Sequence, residues 1–251
     1  MYYIESYPEL KCNFFLAGRD AGASRKLRNK VALLTVFLKR KPGDWPEARK
    51  EAFFAAINHS EDFLTGEAQR YGAPLEMSGY YFETEVPEDA DPKSGFDLIK
   101  DYFQASDMES LQRTYEESLH VNEAVFLLLF DSVGRSFAVK EDKCDGYASQ
   151  ELSVIFFVGS DEEELSFAIT HELLHQFGAV DFYFPKQVRQ TAEKYLPDSV
   201  MCSRCNTVDD LTAYLVGWKN TVSSNALWFL RDTMWLTPER YWELLAEEWK
   251  K

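Results

Sequence analysis

His171-Glu172-Leu173-Leu174-His175-Gln176-Phe177-Gly178-Ala179-Val180-Asp181 is the stretch whose reading decides the rest of this chain. It holds two of the four histidines in 251 residues. On a helix, residues four apart lie one turn apart on one face, so His171 and His175 point the same way. An acid directly follows the first histidine. This H-E-x-x-H pattern offers a zinc ion two nitrogens from a rigid helix, with a carboxylate beside them. Gly178 comes three residues after His175, and Asp181 three after that. Zinc takes nitrogen, sulfur or oxygen ligands in a tetrahedron, and a catalytic site leaves one position for water. A third ligand from the next helical turn would crowd the first two. Gly178 lets the chain leave the helix at positive φ, which can swing Asp181 back to the metal. The expected set is His171, His175 and Asp181 around one Zn2+. Glu172 points elsewhere and is suited to take a proton from the metal's water.

Working upstream, Ser160 and Glu163 form a capping-box pair at the helix start, with acids 161–164 on its positive end. Leu165, Ala168, Ile169, Leu173 and Phe177 give the helix an apolar face. The run 152–158 (LSVIFFV) before it reads as a strand. So do 31–38 (VALLTVFL) and 124–130 (AVFLLLF), which are apolar throughout and suit burial on both faces. Residues 75–86 form another strand, rich in Tyr and Phe, and 136–139 a short returning one. Between them, 46–71 has helical spacing, with Asp44 as its N-cap and a break at His59-Ser60; 107–120 is a surface helix. Downstream of Asp181 the strands disappear. Helices are expected at 186–195, 207–218, 225–234 and 238–249.

The expected fold class is therefore α/β (or α+β): a mostly parallel sheet with its helices, plus a smaller, mainly helical C-terminal lobe, with the histidine helix between them. Residues 1–30 are a lead-in, 31–178 the upper subdomain and 179–251 the C-terminal subdomain of one catalytic domain.

Composition narrows the partners. Hydrophobic residues make up 45% of the chain, enough for a sizeable core rather than disorder. A formal charge of −15 repels phosphates and anionic head groups, so neither nucleic acid nor membrane is an expected partner. The N-terminus lacks the basic start and apolar run of a signal peptide, and no apolar run is long enough to span a bilayer. A cytoplasmic location is expected. Cys12, Cys144, Cys202 and Cys205 then read as thiols.

H-E-x-x-H-x-x-G-x-x-D resembles the zinc signature of the metzincin clan of metallopeptidases, in the snapalysin-like form whose third ligand is aspartate. Residues 198–203 (DSVMCS) are similar to that clan's methionine turn, which makes Met201 the Met-turn residue. The resemblance implies a twisted sheet with a backing helix and an active-site helix, and a peptide or protein substrate bound in extended form along an antiparallel edge strand. The run 152–158, next to the histidine helix, is the matching candidate for that strand. It also implies peptide hydrolysis by metal-activated water, with Glu172 as general base. Where several clan members carry a stabilising tyrosine, two residues past the methionine, this chain has Ser203. Tyr183 and Tyr195 are the alternative transition-state stabilisers.

Cys202 and Cys205 form a C-x-x-C pair, open to a second metal or to redox chemistry; the cysteine spacing of the archaemetzincins is not reproduced. The tryptophans at 228, 235, 242 and 249 read as packing residues. His59 and His120 read as structural or exposed. Two rival functions remain: a metal-binding interaction module without activity, and a zinc-dependent endoribonuclease. The negative charge and Glu172 argue against the second.

Overall fold

Five strands line up as one sheet in the order β2-β1-β3-β5-β4. They are β1 (Asn29–Lys39), β2 (Leu75–Glu85), β3 (Glu123–Phe130), β4 (Phe137–Lys140) and β5 (Gln150–Phe156). A computed structural model describes residues 1–19, 24–140, 150–157, 162–202 and 207–248. β2, β1, β3 and β5 are parallel neighbours, and only β4 runs antiparallel. The class is thus mixed α/β with a mostly parallel sheet, as expected.

The buried runs sort by alternation. Leu33, Phe37, Val125, Leu127, Leu129 and Ile155 face one layer. Leu34, Val36, Phe126, Leu128, Leu152 and Val154 face the other. The first layer holds α1 (Glu47–Arg70) and α4 (Glu162–Gln176); the second holds α2 (Lys100–Phe103) and α3 (Met108–Leu119). Central strands covered on both faces must be apolar at every position, which is why they show no period of two.

Four local expectations are corrected. The edge strand beside the histidine helix is β4, not 152–158. β5 lies between β3 and β4, and Leu152, Val154 and Ile155 are fully buried. A run apolar on both faces is an interior strand, and sequence adjacency to the helix is no guide to sheet order. α1 does not break at His59-Ser60, because the Ser60 hydroxyl bonds back to Ala56 O (2.8 Å) and reaches across to Ser166 O (3.0 Å) on α4. Asp44 does not cap α1. It accepts from Arg40 N (2.9 Å) and Lys41 N (3.3 Å) and closes the turn after β1. Trp228, Trp235 and Trp242 are 50%, 43% and 46% exposed, so they do not form the packing faces of their helices. Ala226, Leu227, Phe229, Leu230 and Leu236 do that instead. Trp249, the capping residue Ser160, Ser203, Cys144 and Cys205 lie outside the described residues. His59 and His120 are exposed.

After Asp181 come α5 (Lys186–Tyr195), α6 (Asp210–Leu215), α7 (Ser224–Asp232) and α8 (Pro238–Glu248). The first nineteen residues pack with them as three short 3-10 turns. Phe15 is fully buried and meets Phe182 and Phe229 edge-on, at 5.5 and 5.0 Å between ring centres. Among the described residues no helix is long and apolar enough to cross a membrane.

Candidate metal centre

From Ile169 onward, α4 is enclosed rather than amphipathic. Residues 171–180 are all buried, the two histidines and Glu172 included. The helix lies between the sheet, α1 and the C-terminal elements. Polar ties secure its approach to the sheet. The Ser153 hydroxyl on β5 donates to Glu172 O (2.9 Å) and accepts from Gln176 Nε2 (2.8 Å), which also donates to Phe126 O (3.1 Å). These bonds set the height of the H-E-x-x-H turn above the strand ends.

Gly178 ends the helix as the sequence anticipates, with φ at 90°. Its N–H donates to His175 O (3.0 Å), and Ala179 N donates to Leu174 O (3.1 Å). This is a Schellman closure, which needs a left-handed residue at that position. Glycine is required twice over, since a Cβ here would lie 2.2 Å from the carbonyl oxygen of Gly18. The reversal presents Ala179 O to His175 Nδ1 at 2.8 Å and returns Asp181 to the histidine face.

Asp181 Oδ1 lies 3.0 Å from His171 Nε2 and 3.3 Å from His175 Nε2; the two Nε2 atoms are 3.2 Å apart. Two ligands bound at about 2.0–2.1 Å to a tetrahedral zinc stand roughly 3.3 Å apart. His171 Nδ1 is 3.2 Å from Val200 O. A carbonyl only accepts, so both Nδ1 atoms carry protons, and on neutral rings both Nε2 atoms present lone pairs. Three buried acceptors therefore converge. Asp181 Oδ1 receives no hydrogen bond, which is costly for a buried oxygen unless a cation lies among the three. A proton on one ring serves one pair of atoms, whereas a metal ion serves all three. His171, His175 and Asp181 form the one group of three or more such side chains able to hold a metal among the described residues.

Without an ion, charge takes its place. Burial opposes a charged His175 ring, but the Asp181 carboxylate outweighs it and pushes the pKa up to about 9. Burial likewise opposes the charged Asp181, yet the two rings hold its carboxyl well below the usual range. Burial raises Glu172, with the neighbouring histidines acting in the other direction.

The turn around Met201 works through its backbone. Val200 O receives His171 Nδ1, and Met201 O accepts from Phe182 N (2.8 Å), the residue after Asp181. Met201 itself is fully buried. Ser199 Oγ accepts from Met201 N (3.1 Å) and donates to Asp209 Oδ2 (2.6 Å). Asp209 in turn caps α6 through Leu211 N and Thr212 N. One buried chain of bonds thus runs from α6 to both sides of the site.

Two cavities flank Glu172. One, of about 310 Å³, is lined by Phe167, His171, Val200 and Cys202 among others. The other, of about 760 Å³, is lined by His175, Asp181, Phe184 and Tyr241 among others. Arg135, Ser136, Glu172 and Tyr183 border both. Tyr183 stands with its ring stacked on His171, and burial, with the charge of Asp181 beside it, raises its phenol pKa. Tyr195 lines neither cavity; its hydroxyl donates to Asp232 (2.8 Å) on α7. Cys202 is buried at the smaller cavity, and its C-x-x-C partner falls outside the described residues. Sequence reasoning missed Arg135 and Ser136, in the loop before β4, and Tyr241 on α8, because no periodicity or spacing marks a residue that reaches a distant cleft.

No protein-family model matches the sequence, and no curated protein matches it. Among solved structures, a zinc-dependent peptidase from Methanocorpusculum labreanum (strain Z) aligns over 78% of this chain and 99% of its own. The identity is 12% and the TM-score 0.30, a score that does not establish a shared fold.

Proposed function

We propose that this chain is a zinc-dependent metallopeptidase of metzincin type, acting on a peptide held in extended form across the cleft. The observation that carries the reading is the convergence of three buried lone pairs beside a buried carboxylate, in a cleft open on both sides. His171, His175 and Asp181 would hold the ion. A zinc ion there supplies a Lewis acid that polarises a carbonyl and makes water acidic near neutral pH.

The remaining steps belong to the protein. The Glu172 carboxylate takes a proton from the attacking water and returns it to the departing amine nitrogen. Its burial favours a stronger base than an exposed glutamate. Ala179 O and Val200 O hold the imidazoles in the ligating tautomer. β4 ends the sheet, so its outer backbone edge supports strand-like pairing with a substrate. Tyr183 is the better placed of the two candidate stabilisers, since it borders both cavities.

Glu172→Ala should retain stoichiometric zinc and lose peptide cleavage, by about 10² to 10⁴-fold in kcat. His175→Ala should lose the zinc, as read by elemental analysis of the purified protein. Equal zinc in wild type and His175→Ala would overturn the site.

A further inference from the structure

If the site is a peptidase centre, one negative charge changes place during the reaction. It starts on the Glu172 carboxylate, which takes up the proton of the attacking water and becomes neutral. Attack on a peptide carbonyl leaves that charge on the carbonyl oxygen. A preorganised donor or cation aimed at that charge is often the largest single contribution to such a reaction.

Arg135 occupies the position from which that charge can be met. It borders both cavities together with Glu172 and Tyr183. Its Nη2 donates to the Tyr183 hydroxyl at 3.1 Å. The same phenolic oxygen keeps its O–H for the neighbouring Asp181 carboxylate, so Tyr183 stands between the guanidinium and that carboxylate. Lys93 is the other cation at the larger cavity, but it does not border the smaller one.

The backbone around Arg135 is anchored. A Cβ at Gly134 would lie 2.5 Å from the Phe156 ring, so glycine lets the loop close onto β5. Ser136 Oγ accepts from Phe156 N at 3.2 Å. The loop before β4 is thereby fastened to β5 on both sides of the arginine.

We infer that Arg135 and Tyr183 act as one unit at the oxyanion of the substrate carbonyl, Arg135 as the cation that meets its charge and Tyr183 as the residue that holds the guanidinium in place. The inference rests on the peptidase reading. The unit forms where the loop before β4 meets the segment after Asp181, and so replaces a stabilising residue downstream of the methionine.

The test uses full-length protein, a cleavable peptide and a phosphinic peptide that mimics the tetrahedral adduct. Arg135→Gln should lower kcat about 100-fold with KM little changed. It should weaken the phosphinic peptide by a similar factor in calorimetry and keep one zinc per chain. Arg135→Lys should recover part of the loss. Tyr183→Phe combined with Arg135→Gln should cost scarcely more than either alone, the mark of residues acting together. A raised KM with kcat unchanged would overturn the inference, as would equal phosphinic peptide affinity in wild type and Arg135→Gln. Either result leaves the peptidase reading intact if Glu172→Ala is inactive. Wild type that cleaves no peptide overturns both.

Discussion

At the scale of single residues, the site is built from carbonyls as much as from side chains. Ala179 O and Val200 O decide which nitrogen of each histidine faces the centre, and neither position is marked by its side chain. Asp181→Asn keeps the volume but removes the charge that unites the two rings. Its zinc affinity should fall by more than about 100-fold, beyond the 10–100-fold typical of an outer-shell change, as measured by competition with a chelator. A second titratable group lies far from the site. Glu123 accepts from Arg25 N (3.2 Å) and Lys26 N (3.3 Å). Burial, assisted by the charge of Glu116, pushes its pKa from 4.5 to about 7 against those two donors. Between these two values the folded protein keeps a proton that the unfolded chain has released. Its contribution to stability is therefore complete below pH 4.5 and is lost as pH rises to about 7. Glu123→Gln should flatten urea-unfolding stability across that window relative to wild type.

At the scale of elements, α4 and the turn after it are the unit that makes a ligand set. The helix presents two rings, its Schellman closure turns the chain, and Asp181 arrives within 3.3 Å of both Nε2 atoms. Gly178→Ala would place a methyl against Gly18 O and force an L-residue to φ 90°. Together these should cost about 3–5 kcal/mol, read as a lower urea midpoint together with weakened zinc binding. The H-E-x-x-H spacing, the glycine stop and the return of Asp181 to the histidines were legible in the sequence because they are local. The edge strand was not, because β4 has only four residues and its position depends on pairing with β5. The enclosure of α4 was likewise hidden. An expected apolar stripe became burial on every side once the sheet, α1 and the C-terminal helices closed around it.

At the scale of the molecule, the N-terminal segment is a structural part of the metal side of the fold. Phe15, Phe182 and Phe229 bring together the first turns, the residue after Asp181 and α7. Phe15→Ala should cost about 3–5 kcal/mol by the cavity it leaves. Zinc should be bound less tightly as well, since Phe182 anchors the chain immediately beyond Asp181; thermal unfolding with and without zinc separates the two effects. Residues 1–19 carry no periodic signal because 3-10 turns have none to offer over three residues at a time. Their role is visible only in what they touch.

By itself the sequence determined the alternation of strands and helices, the reversal at Gly178 and the three residues of the candidate metal cluster. Each depends on spacing along the chain or on the conformational freedom of one residue. Only the tertiary structure decided which strand borders the cleft, which carbonyls orient the histidines and which cation stands beside Glu172. Those arrangements join residues tens of positions apart, and local propensity exerts no force over that distance. The packing of the sheet, the enclosed helix and the loop before β4 brings them together.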